Sequence, residues 1–338
     1  MLDAQRLTPE PAEAIAASAL TACSKLHGPD SGRAIADLTA TVAEVEEAAL
    51  VLVRTQPAAA LGLVAAMREF WVLSGRQGSA IGVVTTVLET AGEQPPERAA
   101  TEVCAGTLAF FNGDTEGAAR HHEKALRQAE AAGLEPVACD ALIGLARVAM
   151  QRGQLGEMAR RAAESGRLAR GLGDELRQAV ALHHQAVAAD LGGDPLGAAL
   201  HEETLRIQRR LGNQRGVALE LLNLGLLALG GTELGAARNY LAEAYGVFRT
   251  LRVERNVALT LALYGAALCA GGDQASGALL LGTGTALKRA LGTTFTVAAD
   301  RHLDAALANC RDTLGEARLE ELLEEGAQSE PPLALPAP

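Results

Sequence analysis

Aromatic side chains are scarce, with one Trp, three Tyr and five Phe in 338 residues. Ala and Leu dominate in their place, which argues against sheet and for helix. Positive charge is also short. Thirty Lys and Arg face 41 Asp and Glu, a net charge of -11. That balance excludes a generic phosphate-tracking surface, so no direct nucleic-acid partner is expected. Lysine is nearly missing, represented only by Lys25, Lys124 and Lys288. No apolar run is long enough to span a bilayer, and the longest, Val257 to Ala270, is about 14 residues. The polar, mixed-charge residues 1–12 do not resemble a secretory leader. A soluble, cytoplasmic protein without membrane contact is therefore predicted. The cysteines, Cys23, Cys104, Cys139, Cys269 and Cys310, are odd in number and form no C-x-x-C pair. Buried reduced thiols are expected rather than a disulfide framework or a metal site.

What is present is a period. Turn signals fall at Gly75-Arg76, Gly113-Asp114, Gly153-Gln154, Gly193-Asp194, Thr232-Glu233 and Gly272-Asp273, spaced by 38, 40, 40, 39 and 40 residues. A second landmark follows at Gly133, Gly173, Gly212, Arg252 and Gly292, spaced by 40, 39, 40 and 40 residues. Glycine can adopt the left-handed backbone that ends a helix, and a neighbouring Asp or Thr can cap the next one. Small pairs such as Ala118-Ala119, Ala198-Ala199 and Ala236-Ala237 sit early in each second helix, where two helices must approach closely. No single unit buries its own apolar face, so neighbours must stack. The pattern predicts an all-α, right-handed solenoid of six helix-turn-helix repeats of about 40 residues over 57–297. A helical cap is predicted over 1–56 and another over 298–327. The tail 328–338, with four prolines, is expected to be disordered.

The stretch Val217 to Gly225, followed by Thr232 to Arg238 and Ala244 to Leu251, resembles a tetratricopeptide repeat of the longer type. Ala58 to Gly75, with Phe70-Trp71, resembles the first repeat of sensor regions in bacterial signal-transduction ATPases and their LuxR-type and antibiotic-regulatory relatives. Ala278 to Gly292, followed by Leu314 to Ala317, resembles their last segment. The resemblance covers about residues 12–326. It implies a tetratricopeptide-like fold and a regulatory role in transcription or signal transduction. The nucleotide-binding module of such relatives has no counterpart here, because no Gly-Lys pair exists to build a phosphate loop. No catalytic motif such as G-x-S-x-G or H-E-x-x-H is present, and no cofactor or metal is implied.

In tetratricopeptide folds the first helix of each repeat lines the concave face, and the resemblance carries that role to particular residues here. Asp140, Ile143 and Arg147 come from the third repeat, and His183, His184 and Asp190 from the fourth. Leu219, Leu222, Asn223 and Leu226 come from the fifth. The leucines keep a helical stripe that serves either core packing or an apolar groove. Asp140 and Arg147 either bind a ligand's charged group or bridge to neighbours. Asp190 lies two turns after His183, on the same face, and could orient an imidazole for acid–base work. The alternative is a groove histidine that only hydrogen-bonds. His121-His122 reads as solvated surface. The chaperone-type carboxylate clamp is disfavoured, because only Arg147 falls among the lining positions. The reading that results is a non-enzymatic solenoid that binds a small hydrophobic effector, a partner protein or a peptide. A homodimer is a further use of the leucine stripe. The rival is an enzyme or carrier that uses the groove as an apolar reaction chamber, with His183, His184 and Asp190 as the catalytic group.

Overall fold

The computed structural model describes residues 7–28, 30–92, 97–231 and 233–336. Among them 83 % are helical, in sixteen helices without a strand. The helices are α1 (Pro9–Cys23), α2 (Ser31–Thr55), α3 (Pro57–Leu73), α4 (Gln77–Thr90), α5 (Glu97–Phe111), α6 (Thr115–Ala131), α7 (Glu135–Gln151) and α8 (Leu155–Leu172). They continue as α9 (Glu175–Gly192), α10 (Leu196–Arg210), α11 (Gln214–Gly230), α12 (Leu234–Thr250), α13 (Glu254–Ala270), α14 (Gln274–Ala290), α15 (Val297–Leu314) and α16 (Glu316–Gln328). Contacts divide the chain into two compact units, Met1–Ile207 and Gln208–Pro338.

The periodic glycines end helices for the reason the sequence suggests. Gly75, Gly113, Gly133, Gly153, Gly173, Gly193, Gly212, Gly272 and Gly292 all have positive φ. The residue after each turn glycine sends its N–H back to the carbonyl five residues earlier, as in Asp114 to Ala109, Gln154 to Ala149 and Asp174 to Ala169. This is the Schellman closure that satisfies carbonyls left open at a helix end. Asp114, Asp174, Asn213 and Asp273 then accept from the backbone three residues on and start the next helix. Arg252 is the exception, a left-handed Arg at φ 55 where the period expects glycine. Thr232, taken as a turn landmark, lies outside the described residues, as do residues 1–6 of the first cap.

In unit 1, the first helices of successive pairs pack on one another, α3 on α5, α5 on α7 and α7 on α9. Its core at the α2–α3 end holds Phe70 and Trp71, both fully buried, and the Trp71 indole donates to Glu46 at 3.1 Å. Enclosing a ring of this size contributes about 2–3 kcal/mol. The close approach in the fourth pair comes from Gly197, since Ala198 and Ala199 are exposed.

Unit 2 is tighter. Helix α13 is buried along almost its whole length, and α14 packs on both α13 and α16. A methyl group added at Gly277 would fall 2.3 Å from the Cys269 sulfur, and one at Gly282 would fall 2.3 Å from the Leu323 carbonyl oxygen. The same addition at Gly326 would meet the Leu279 carbonyl oxygen at 2.0 Å. Backbones there touch with no side chain between them.

The tail departs from expectation. Residues 329–336 are laid against unit 2, with Leu335 buried and the carbonyls of Pro331, Pro332 and Pro336 accepting hydrogen bonds. Proline content signals a chain that cannot extend a helix, and here side-chain donors on α12 and α13 hold that chain in place. Residues 337 and 338 lie outside the described residues.

Candidate functional site

The predicted lining residues fall into both units. Asp140, Ile143, Arg147, His183, His184 and Asp190 belong to unit 1, and Leu219, Leu222, Asn223 and Leu226 to unit 2. In unit 2, α11 buries Leu222, while Leu219, Asn223 and Leu226 are half-buried.

The polar chemistry concentrates in unit 1. Asp140 on α7 is the centre of a three-helix cluster. It accepts from Arg68 on α3 at 3.2 Å and from Arg177 on α9 at 3.0 and 3.2 Å. Arg177 also donates to Asp174 at 2.6 Å. Of the two alternatives for Asp140, the structure takes the bridge to neighbours. Burial weakens the charge on both guanidiniums, yet the facing carboxylates hold their pKa values above the ordinary arginine range. Beside the cluster lies a cavity of about 220 Å³, lined by Glu69, Ala100, Val103, Arg68, Asp140 and Arg177 among others.

Two helical turns further along α7, Arg147 donates from Nε to Nε2 of His184 at 3.2 Å. Its guanidinium also stands 5.8 Å from the centre of the Phe111 ring. The Nδ1 of His184 lies 2.8 Å from the Val180 carbonyl oxygen. A carbonyl only accepts, so Nδ1 carries the proton and Nε2 offers the lone pair to Arg147. Burial, reinforced by Arg147 and His183, pushes this imidazole well below the ordinary histidine range. His184 thus has both ring nitrogens engaged, one with the Val180 carbonyl and the other with Arg147. Asp190 is engaged with a histidine of the following helix, and its carboxylate accepts from His201 Nε2 at 2.9 Å. His201 is fully buried, so this pair belongs to the packed interior. The His183 ring stands edge-on to His184 and His201, with centroids 5.2 and 5.9 Å away.

The His121-His122 pair is also corrected. His121 binds Glu102 at 2.7 Å, and Glu102 is itself buried and paired with Lys124 at 2.7 Å. Burial raises the Glu102 pKa, but its bonds to His121 and Lys124 outweigh that and hold it below the usual carboxylate value. His122 is 1 % exposed. Its ring leaves α6 and fills the space opposite Gly106 of α5 and Gly144 of α7, where added methyl groups would fall 2.8 and 2.3 Å from it. Burial first, then Arg147 and Arg68, lowers its pKa to about 3.

Sequence reasoning missed Arg68, Arg177 and His122. Arg177 had no signal beyond its helix. The signal for His122 was two helix-interior glycines 38 residues apart at matching positions, which leave room for one large side chain.

No protein-family model and no curated sequence matches the chain. Solved structures do match its fold. One is a signal-transduction ATPase with numerous domains from Pyrococcus horikoshii, which has a tetratricopeptide repeat sensor. It aligns at TM-score 0.54 and 14 % identity over 96 % of this chain. A Rap protein complexed with Competence and Sporulation Factor aligns at TM-score 0.56 and 12 % identity, over 94 % of this chain and all of that one. The APC/C hetero-tetramer Cut9-Hcn1 aligns at TM-score 0.51 and 17 % identity over 87 % of this chain. The fold is tetratricopeptide-like. The chain spans 56 % of the length of the ATPase and 58 % of that of the APC/C subunit. The Arg68–Asp140–Arg177 cluster joins α3, α7 and α9 of this fold. Among the described residues, no helix is long and apolar enough to cross a membrane.

Proposed function

We propose that the protein is a non-catalytic binding module of the regulatory kind, and that the first-helix face of unit 1 receives an extended segment of a partner protein or peptide. The observation that carries this reading is the Arg68–Asp140–Arg177 cluster beside its cavity. At about 220 Å³ the cavity is smaller than the roughly 300–1,000 Å³ that encloses a whole small molecule. It suits one side chain of a longer ligand. The cluster residues are about one-quarter exposed, at 28 % for Arg68, 22 % for Asp140 and 32 % for Arg177. They present fixed donors and acceptors to a main chain without being solvated freely. Two fold neighbours agree with a regulatory, ligand-receiving role: the ATPase uses its repeats as a sensor, and the Rap protein is in complex with a factor. The rival reading, a reaction chamber run by His183, His184 and Asp190, loses support because His184 is committed and Asp190 serves His201.

The test is to select binders from a random twelve-residue peptide library on the full chain, then measure each by fluorescence polarisation. Asp140→Ala should weaken the selected peptides at least tenfold, because it frees both guanidiniums to move. Peptides that bind the variant as tightly as the parent would refute the assignment of the site.

A further inference from the structure

The segment Ser329–Pro336 sits on unit 2 in a way that packing alone does not require. Three of its carbonyls are read individually. The Tyr245 hydroxyl on α12 donates to Pro332 at 2.6 Å, and the Tyr264 hydroxyl on α13 donates to Pro336 at 2.5 Å. Arg249, one turn after Tyr245, donates to Pro331 at 2.9 Å and also to Pro332. Its guanidinium stands 5.9 Å from the centre of the Tyr245 ring. Between the anchors Leu335 is buried, while Leu333 is 87 % exposed.

Proline has no N–H, so a proline-rich strand can be recognised only through its carbonyls and its ring surfaces. The donors here fit that need. With the segment in place both tyrosine rings are buried to 1 % or less, and both stand on long helices that restrict where their hydroxyls can point. Such pre-organisation lowers the ordering cost of binding. Aromatic residues with hydroxyl donors facing a proline-rich strand are a general recognition mode for such peptides.

We propose that the α12–α13 face of unit 2 is a receptor for proline-rich peptides, and that Ser329–Pro336 is a built-in competitor that occupies it. The partner it fits carries adjacent prolines, then a leucine and a proline, in the pattern Pro-Pro-x-x-Leu-Pro. A tethered segment is present at an effective concentration on the order of 1 mM. An outside peptide of the same sequence must compete with it, so its apparent dissociation constant in the closed chain stays near that value or above it, whatever the intrinsic affinity the two share. Releasing the tether converts the face to its intrinsic affinity. This device lies wholly in unit 2 and is independent of the site proposed in unit 1.

The experiment uses the full chain, its Leu335→Asp variant and a chain ending at Gln328. The probe is a fluorescein-labelled peptide with the sequence of residues 329–336. The intact chain should bind it no better than millimolar, and both altered chains at least tenfold more tightly. Adding Tyr245→Phe and Arg249→Gln to the Leu335→Asp chain should remove that gain. A peptide with its three prolines replaced by alanine should bind at least tenfold more weakly. The proposal is overturned if the released chains keep their helical melting transition and still fail to bind at 1 mM. It is overturned equally if both released chains lose the helix of unit 2, since the segment would then be part of the core.

Discussion

His122 makes the acid stability of unit 1 a quantitative matter. Its ring is enclosed between α5 and α7, its Nδ1 has no hydrogen-bond partner, and its pKa is about 3. In the unfolded chain the same imidazole titrates near 6.5. The folded form thus binds the proton more weakly than the unfolded one. The stability contributed by the neutral ring is complete above pH 6.5 and is lost progressively as the pH falls from 6.5 toward 3. Each pH unit in that window costs about 1.4 kcal/mol for one proton. Between pH 7 and pH 4.5 the loss is ~2.5 kcal/mol. Replacing His122 with Leu keeps a side chain of similar bulk in the space and removes the proton. The variant should match the parent at pH 7 to within about 1 kcal/mol and should outlast it by ~2.5 kcal/mol more at pH 4.5. His184 is perturbed in the same direction but is common to both chains, so the difference isolates position 122. Trp71, the single tryptophan, lies in unit 1 and reports its unfolding by fluorescence in urea. Parallel pH dependences for the two proteins, within about 0.5 kcal/mol, would show that His122 is reached by water and protonates freely.

Two further outcomes are expected. Arg252→Gly should raise the urea midpoint of unit 2, followed by circular dichroism. Relief of a left-handed non-glycine residue is worth about 1–2 kcal/mol, against roughly 0.5–1 kcal/mol for the added freedom of the unfolded chain; a lower midpoint would refute the strain argument. Cys269 and Cys310 hold their sulfurs 2.9 Å apart in the interior of unit 2, so diamide should link them with loss of two hydrogens, seen in a non-reducing peptide map. The reaction should be slow, because burial holds the Cys269 thiol well above its ordinary pKa, and a map that joins other cysteines first would contradict the geometry.

The fold was legible because its punctuation is local. A left-handed glycine and a capping Asp act within six residues, and a period of about 40 can be read by eye from them. The aromatic pair Phe70-Trp71, part of the resemblance to a first repeat, lies in the core. The candidate site was only half legible. Asp140 and Arg147 were reached through the resemblance, but the partners of Asp140, Arg68 and Arg177, stand 72 and 37 residues from it. Phase says which face a side chain leaves from and nothing of how far a flexible Arg reaches across the next helix. His183 and Asp190 show what spacing leaves out. They share a face by spacing, yet the carboxylate turns to His201, on the following helix. The tail misled because its composition resembles that of free linkers, and the tyrosines that anchor it lie 87 and 72 residues away from the prolines they hold.

The contact between α14 and its neighbours has a consequence for how this sequence can change over time. Where Gly277, Gly282 and Gly326 meet a sulfur or a carbonyl oxygen within 2.3 Å of an added methyl group, even alanine forces helices apart. A surface of side chains can drift, since one residue grows while its neighbour shrinks. A surface of bare backbone has nothing to trade. Any substitution at the glycines of the α13–α14–α16 joint must therefore move backbone, whereas one on a face lined by side chains can be absorbed by its neighbours.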